Sequence, residues 1–175
     1  YDFHNLYKEL LNFCTVDLSA FYFDIRKDAL YCDSKDSARR KSCIVVLNII
    51  LESLIKWFAP ILSFTTEEIY RLIDKDKKSI HLENFMEFPK MFKNINLNKK
   101  WLELKKIRDI CNVSIEAKRT AKEIGSSLES NLIISLNKDL YEISNQVDFA
   151  ELCITSSATV TRSTSEGVMV ETKKA

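Results

Sequence analysis

Apolar side chains dominate residues 44–58, where Glu52 and Lys56 leave only a thin polar strip. On a helix of 3.6 residues per turn these side chains fall on nearly every face, so the helix has to be covered on several sides. The two charges break the stretch too often for a membrane span. The pattern predicts the central helix of a helical bundle over residues 34–58, stopped by Pro60.

Shorter amphipathic segments are predicted to wrap this central helix, because apolar residues recur in them at helical spacing. The first two cover residues 3–13 and 16–31. A third opens where Thr65 and Glu68 fit a capping box, and it continues to residue 73. Four helical segments joined by short loops suit an up-and-down bundle. N-caps for the central helix are offered by Asp33, Ser34 and Asp36.

The period is lost over residues 79–97, which we interpret as an extended segment that crosses the bundle. A long helix is predicted over residues 98–124, with Gly125 as its left-handed C-cap. The side chains expected to pack the crossing segment onto the bundle are Phe85, Phe88, Met91 and Phe92.

Beyond Gly125 the apolar residues alternate, which is typical of strands. Strands are predicted over residues 132–136 and 150–155, with a short helix at 138–144 between them. Residues 158–163 and 168–172 are expected to form a hairpin around Glu166 and Gly167. The predicted fold is mainly α: a helical bundle with its crossing segment over residues 1–97, then a long basic helix and a small α+β appendix over residues 98–175.

Composition and motifs exclude several classes of function but do not identify one. Two glycines and two prolines in 175 residues favour long helices, and a net charge of +1 argues against a strongly basic arm. Five cysteines, an odd number without a Cys-x-x-Cys pair, indicate reduced thiols in a cytosolic protein. The sequence has no glycine-rich phosphate loop, no nucleophile elbow and no metal-ligand spacing, so the residues alone indicate a helical binding module.

Two groups of cations could bind a polyanion. Arg39, Arg40 and Lys41 lie near the predicted start of the central helix, where they oppose the helix dipole. They form either a solvated first turn or a phosphate-facing patch. The long helix over residues 98–124 is the most basic stretch of the chain, and an excess of one sign favours a polyanionic partner.

Several blocks resemble bacterial-type isoleucyl-tRNA synthetases. Residues 13–31, FCTVDLSAFYFDIRKDALY, are similar to the segment that opens the anticodon-binding bundle of that family. Residues 36–40 (DSARR), 57–69 (WFAPILSFTTEEI) and 79–82 (SIHL) resemble the blocks that follow. The block at 57–69 also occurs in the valyl and leucyl enzymes. Residues 122–130 (KEIGSSLES) are more typical of the isoleucyl enzyme, and residues 151–158 (ELCITSSA) continue the match.

The resemblance implies the C-terminal, anticodon-binding region of a class I aminoacyl-tRNA synthetase, which joins isoleucine to its tRNA with ATP and magnesium. No catalytic residue and no cofactor are expected in this chain, because Lys90-Met91-Phe92-Lys93 is not the family's Lys-Met-Ser-Lys-Ser loop and the His-x-Gly-His signature is missing. Zinc is expected only in a tail beyond Ala175. The expected partners are tRNA and the catalytic and editing domains of the same polypeptide, in a cytoplasmic monomer that does not bind membranes.

The resemblance also implies that cations position the anticodon stem-loop through its phosphates. Three readings stay open beside it: the same region of a valyl or leucyl enzyme, a helical protein–protein interaction module, and a thiol or metal enzyme. An exposed apolar groove in place of a basic face would favour the interaction module. The candidate tRNA-binding residues are Arg26, Lys27, Arg39, Arg40, Lys105, Lys106, Arg108, Lys118, Arg119 and Lys122.

Overall fold

The computed structural model describes residues 2–73, 78–164 and 167–175. The chain forms two compact units, Tyr1–Pro89 and Lys90–Ala175. The sequence predicted a division after residue 97, which lies inside the long helix and eight residues beyond the boundary between the two units. The first unit is built from helices and the second combines helices with a three-stranded sheet, so the mainly α fold with a small α+β appendix is confirmed.

The first unit opens with one continuous helix where the sequence predicted two. Helix α1 (Phe3–Asn12) runs into a π-helical stretch (Phe13–Phe23) and then into α2 (Asp24–Tyr31), with helical backbone angles at both junctions. A π-helix turns less per residue than an α-helix, so it shifts the phase of the apolar stripe. The shifted stripe looked like a second helix, and the predicted loop between the two segments is wrong.

Helix α3 (Ala38–Phe58) is the predicted central helix, but it starts later than expected. Its N-cap is Ser37, whose hydroxyl accepts a hydrogen bond from the backbone N–H of Arg40 at 3.4 Å. The expected caps are wrong, because Asp33 binds Arg39 and Ser37 while Asp36 pairs with Lys41. The helix ends just before Ala59 and Pro60, as predicted.

Helix α4 (Ser63–Ile73) starts before its predicted capping box. Thr65 therefore lies inside the first turn, and the hydroxyl of Thr66 donates to the carbonyl of Leu62 at 3.0 Å. Helices α3 and α4 enclose a small core with a short 3₁₀ turn, Ile80–Leu82. The buried members of this core are Ile55, Ala59, Tyr70 and Ile80.

The part of α3 over residues 44–51 stays partly open, contrary to the expectation that the helix is covered on several sides. Ile44, Val45, Val46 and Leu51 are exposed, Val45 to 57%. Their apolar side chains explain why the stretch looks buried all round in the sequence. The buried residues Ser53, Ile55 and Lys56 lie in the C-terminal part of α3, and Cys43 is buried nearer its start.

The segment after α4 packs onto the bundle less completely than predicted. The rings of Phe88 and Trp57 lie 6.3 Å apart, and the hydroxyl of Ser53 contacts the sulfur of Met86 at 3.4 Å. Phe85 stays exposed, so its predicted packing is wrong. Met91 and Phe92, expected on the bundle, lie in a 3₁₀ turn (Lys90–Phe92) of the second unit.

Helix α5 (Ile95–Thr120) is the long helix of the second unit. Its N-cap is Asn94, whose side chain accepts from the N–H of Leu97 at 2.9 Å. The left-handed residue after the helix is Lys122 (φ 58°), so the predicted Gly125 cap is wrong. Gly125 is small for another reason: its N–H donates to Glu129 at 3.1 Å, and a Cβ would lie 3.0 Å from that carboxylate.

A three-stranded sheet packs on α5. Strands β1 (Ser130–Leu136), β2 (Ser157–Arg162) and β3 (Val168–Lys174) have the order β2-β1-β3. Because β1 pairs in parallel with β2 and antiparallel with β3, the predicted hairpin of β2 and β3 is wrong. Glu166 of its predicted turn lies outside the described residues.

Two helices connect β1 to β2. The short helix α6 (Lys138–Ser144) is confirmed, whereas the strand predicted at residues 150–155 is wrong. That stretch forms α7 (Phe149–Cys153), because the carboxylate of Asp148 accepts from the N–H groups of Ala150 and Glu151 at 2.9 and 3.3 Å and caps a helix. The side chains buried between α5 and the sheet include Leu104, Ile107, Cys111, Ile115, Leu132 and Ile134.

Candidate nucleic-acid interface

The turn before α3 holds its arginines in fixed positions. The guanidinium of Arg39 donates twice to the Asp33 carboxylate, at 2.8 and 2.6 Å, and Arg40 donates to the backbone carbonyl of Asp33 at 3.0 Å. The hydrogen bonds from Arg39 and Ser37 hold the pKa of Asp33 at about 2. The Asp33 carboxylate therefore offsets the cations that would otherwise oppose the α3 dipole.

This arrangement leaves part of the Arg39 guanidinium accessible. The Arg39 side chain is 44% exposed, whereas Arg40 is half-buried. A fork already bound to one carboxylate is rigid, so its outer edge can meet a phosphate with little loss of side-chain entropy. We call Asp33, Arg39 and Arg40 the arginine turn.

The candidates on α2 differ in their surroundings. Lys27 is exposed and donates to Asp24 at 2.8 Å, and this hydrogen bond raises the pKa of Lys27. Arg26 is half-buried beside Tyr22. Residues 32–37 join α2 to α3, so the structure places these candidates on the two helices that flank one turn.

The cations predicted on α5 are mostly paired with glutamates of their own helix or of the turn that follows. Lys106 binds Glu103 at 2.7 Å. Arg119 binds Glu116 at 2.9 Å, and Lys118 binds Glu123 at 2.7 Å. These pairs are solvent-exposed and individually weak, but they neutralise the basic face that the composition indicated. Lys105 is half-buried.

Arg108 has a structural contact. Its Nε donates to the carbonyl of Leu152 at 2.8 Å and so ties α5 to α7. A hydrogen bond with Cys153, together with burial, raises the pKa of the Cys111 thiol. Both thiols are buried, which makes them unsuitable as exposed nucleophiles.

Lys122 lies on the rim of a shallow cavity of about 560 Å³ at the C-terminal end of α5. Arg119 and Lys174 also line this cavity, as do Glu116, Glu123 and Glu129. Three glutamates offset three cations, so the cavity is not an anion site by charge alone.

A further group of cations was missing from the sequence-based candidates. Lys90, Lys93, Lys99 and Lys100 surround the start of α5, and none forms an ion pair within the described parts of the chain. The sequence contained the signal, because residues 90–102 hold these four lysines and no acidic residue. We call the four side chains the open lysines.

One of the open lysines, Lys93, lines a cavity of about 470 Å³. Its lining combines apolar and aromatic side chains with two amides and one cation. The residues are Phe92, Lys93, Asn94, Ile95, Leu97, Asn98 and Trp101.

Other chemistry finds little support among the described residues. No cluster of three or more His, Cys, Asp or Glu side chains in residues 2–73, 78–164 and 167–175 could hold a metal ion. No helix within these ranges is both long enough and apolar enough to cross a membrane.

Comparison with known proteins agrees with the resemblance seen in the sequence. The family model for the anticodon-binding domain of tRNA ligase matches residues 1–135. An isoleucine–tRNA ligase of Pelagibacter ubique is 74% identical over the whole chain, which covers 19% of that relative. Isoleucine–tRNA ligases of Agrobacterium fabrum and Bartonella quintana are 42% and 41% identical over 91% and 93% of the chain, and each is covered over 17% of its own length. The chain spans about a fifth of the length of these relatives, and it belongs to the family of anticodon-binding domains of tRNA ligases.

Proposed function

We propose that this chain binds the anticodon stem-loop of an isoleucine tRNA as part of an isoleucine–tRNA ligase. The observation that carries the proposal is the 74% identity over the whole chain to an isoleucine–tRNA ligase. The complete enzyme would attach isoleucine to tRNA with ATP and magnesium, as a cytoplasmic monomer. Its catalytic and editing centres would lie elsewhere in the polypeptide, and zinc would belong to a segment beyond Ala175.

Isoleucine is preferred to valine or leucine on two grounds. The three relatives described above are isoleucine ligases. The turn over residues 122–130 also resembles that of the isoleucyl enzyme, and in this turn the Gly125 N–H donates to the Glu129 carboxylate at 3.1 Å.

The arginine turn and α2 supply the proposed phosphate contacts of the first unit. An anticodon loop presents phosphates and unstacked bases, and cations position its backbone while other side chains read its bases. Arg39 and Lys27 are exposed although each has a carboxylate partner, so a phosphate can reach them. The other proposed contacts are Arg26, Arg40, Lys105, Lys106, Arg108, Lys118, Arg119 and Lys122.

The exposed apolar residues of α3 support a second role for the chain. Ile44, Val45, Val46 and Leu51 form an exposed apolar patch on one helix, which is the sign expected of a protein-binding surface. The chain spans about a fifth of its relatives, so most of the polypeptide is available to cover this patch. We infer that other domains of the same polypeptide pack there, which accounts for the patch without a separate interaction module.

Exchange of anticodon bases tests the proposed function. Binding of the chain would be measured against an isoleucine tRNA transcript, a valine transcript, and an isoleucine transcript that carries the valine anticodon. We expect the transcript with the isoleucine anticodon to bind more tightly than both transcripts with the valine anticodon, since base contacts supply the specificity. Equal affinity for all three transcripts would remove anticodon reading from this chain.

A further inference from the structure

The start of α5 combines a cavity with unusual exposure of apolar side chains. Phe92, Ile95 and Leu97 all line the cavity, and Ile95 is 71% exposed. Trp101 closes it and is half-buried. A volume of about 470 Å³ falls in the range of sites that hold small molecules or single groups of a larger ligand.

Charge around the cavity has one sign. Lys93 lines it directly, and Lys99 and Lys100 lie on the first turns of α5 beside it. The acidic residue nearest along the helix, Glu103, is bound to Lys106 at 2.7 Å. Elsewhere on α5, Lys106, Lys118 and Arg119 have glutamate partners. The open lysines form no ion pair within the described residues, so they are available for a ligand.

The polar groups of the cavity suit a base edge. The side-chain oxygen of Asn94 caps α5, which leaves its NH₂ group for an acceptor on a ligand. Asn98 also lines the cavity, and a side-chain amide both donates and accepts. An indole surface with nearby amides and cations is the combination that binds unstacked nucleotides.

A second cavity continues along the same helix. It measures about 350 Å³ and is lined by Lys99, Lys100 and Glu103 of α5 and by Ile143 of α6, among others. Lys99 and Lys100 therefore lie where the sugar–phosphate chain next to a bound base would need counter-charges.

We propose that the cavity at the start of α5 binds one unstacked nucleotide of an RNA strand. Trp101 provides the surface on which the base stacks, Asn94 and Asn98 face its edge, and Lys93, Lys99 and Lys100 neutralise the adjoining phosphates. This proposal rests on the proposed function in that the strand belongs to the bound tRNA. Charge complementarity favours RNA over an apolar peptide, which would leave the open lysines without partners.

Indole fluorescence provides a direct test. The chain has two tryptophans, so a Trp57→Phe variant isolates Trp101. The probes are a single-stranded RNA of eight or so nucleotides, an abasic strand of equal length and charge, a poly-glutamate peptide, and the isoleucine tRNA transcript. We expect RNA with bases to quench the fluorescence of Trp101, and the abasic strand and the peptide to leave it almost unchanged.

Substitutions separate stacking from charge. Trp101→Leu should weaken binding of the RNA strand about fivefold to a hundredfold, the usual range for loss of one base–aromatic stack, while Trp101→Tyr should retain most of the affinity. Lys93→Gln should lower the slope of log affinity against log salt by about one. Lys173→Gln is the matched control, because Lys173 already pairs with Glu171 at 3.4 Å. Thermal denaturation of each variant shows whether the fold is kept.

The outcomes keep this proposal apart from the proposed function. If the transcript binds but Trp101 fluorescence is unchanged and Trp101→Leu keeps its affinity, the nucleotide site is wrong while tRNA binding stands. If the short RNA quenches Trp101 but the transcript does not bind, the site stands and the proposed function fails. Equal quenching by the abasic strand or by poly-glutamate would overturn the site, and so would the absence of any RNA binding.

Discussion

The arginine turn and the open lysines contain similar charges in opposite surroundings. In the arginine turn, Asp33 binds Arg39 twice and Arg40 through its carbonyl, and it fixes both guanidiniums before any ligand arrives. At the start of α5, the described structure gives Lys93, Lys99 and Lys100 no ion pair. Preorganised cations lose little entropy on binding but share their charge with a carboxylate, whereas unpaired cations offer their full charge and have to be ordered. The availability of a cation thus depends on its neighbours more than on its number in the sequence.

The largest effect is expected at the open lysines. The triple variant Lys93→Gln, Lys99→Gln, Lys100→Gln should weaken tRNA binding at least about tenfold near 0.1 M salt and lower the salt slope by two or three, because each lysine in contact with a phosphate contributes about one. The measurement is a salt-titrated binding curve. The matched control replaces the paired cations Lys41, Arg71 and Lys173, which are not among the proposed contacts, and its slope should change by less than one. Equal slopes for the two triple variants would break the comparison.

A smaller effect is expected in the arginine turn. Arg39→Gln with Arg40→Gln should weaken tRNA binding severalfold, because part of the arginine charge is already balanced by Asp33. Glutamine is preferable to a reversed charge, which would place a carboxylate beside Asp33. Lys41→Gln serves as the control, since Lys41 pairs with an exposed aspartate. If the double variant kept its affinity at low and moderate salt, the arginine turn would stabilise the start of α3 without binding tRNA.

Acid should destabilise the first unit through two carboxylates. The pKa of Asp33 and that of Glu67 are both held at about 2, Asp33 by hydrogen bonds from Arg39 and Ser37, and Glu67 by hydrogen bonds from Arg71, Ile80 and Ser79. Because the folded pKa values are below the unfolded ones of about 4, the unfolded state binds more protons between these values. The stabilisation is therefore complete above about pH 4 and is lost as the pH falls towards 2.

Thermal unfolding between pH 5 and 2 checks this expectation. Asp33→Asn and Glu67→Gln should each lower the midpoint at pH 6 and flatten its dependence on pH, since the neutral amide has no proton to gain. Both carboxylates are still partly exposed, Asp33 to 18% and Glu67 to 20%, so a shift of a few degrees is expected. A pH profile that the two variants leave unchanged would contradict the assigned hydrogen bonds.

The smallest effect is expected at Lys122. This residue adopts φ 58°, a left-handed conformation that is costly for a residue with a Cβ. Lys122→Gly should therefore stabilise the chain by about 0.5–1 kcal/mol in denaturant unfolding. Lys122→Ala keeps the strain and removes the charge, so it provides the control. A tRNA affinity that falls equally in both variants would support Lys122 as a phosphate contact, and an unchanged affinity would remove it from the proposed contacts.

The sequence was sufficient to predict the elements whose apolar residues keep one regular period. The apolar stripes of α3 and α5 and the short strand β1 follow from periodicity. The π-helical stretch was not predictable in this way, because it changes the phase of a stripe within one helix. The pairing of β2 and β3 with β1 was missed because strand order depends on contacts between distant residues, here through the α6 and α7 connection.

For the candidate interface, the positions of the basic residues could be predicted, but their ion pairs could not. Basic residues could be found by counting, but whether a glutamate three or four residues away binds a given lysine depends on which partner each carboxylate chooses. Glu103 is in reach of both Lys99 and Lys106 along the helix, and it binds Lys106. The open lysines could have been found from the absence of any acid in residues 90–102. The structural contact of Arg108 could not be predicted, since it joins Arg108 to Leu152, 44 residues further along the chain.

The most direct test is the salt dependence with which the unmodified chain binds an isoleucine tRNA transcript. The account predicts a straight line of log affinity against log salt with a slope of several, and weaker binding to a valine transcript over the whole range. A shallow slope, or no binding at low salt, would contradict the claim that these cations hold tRNA through its phosphates.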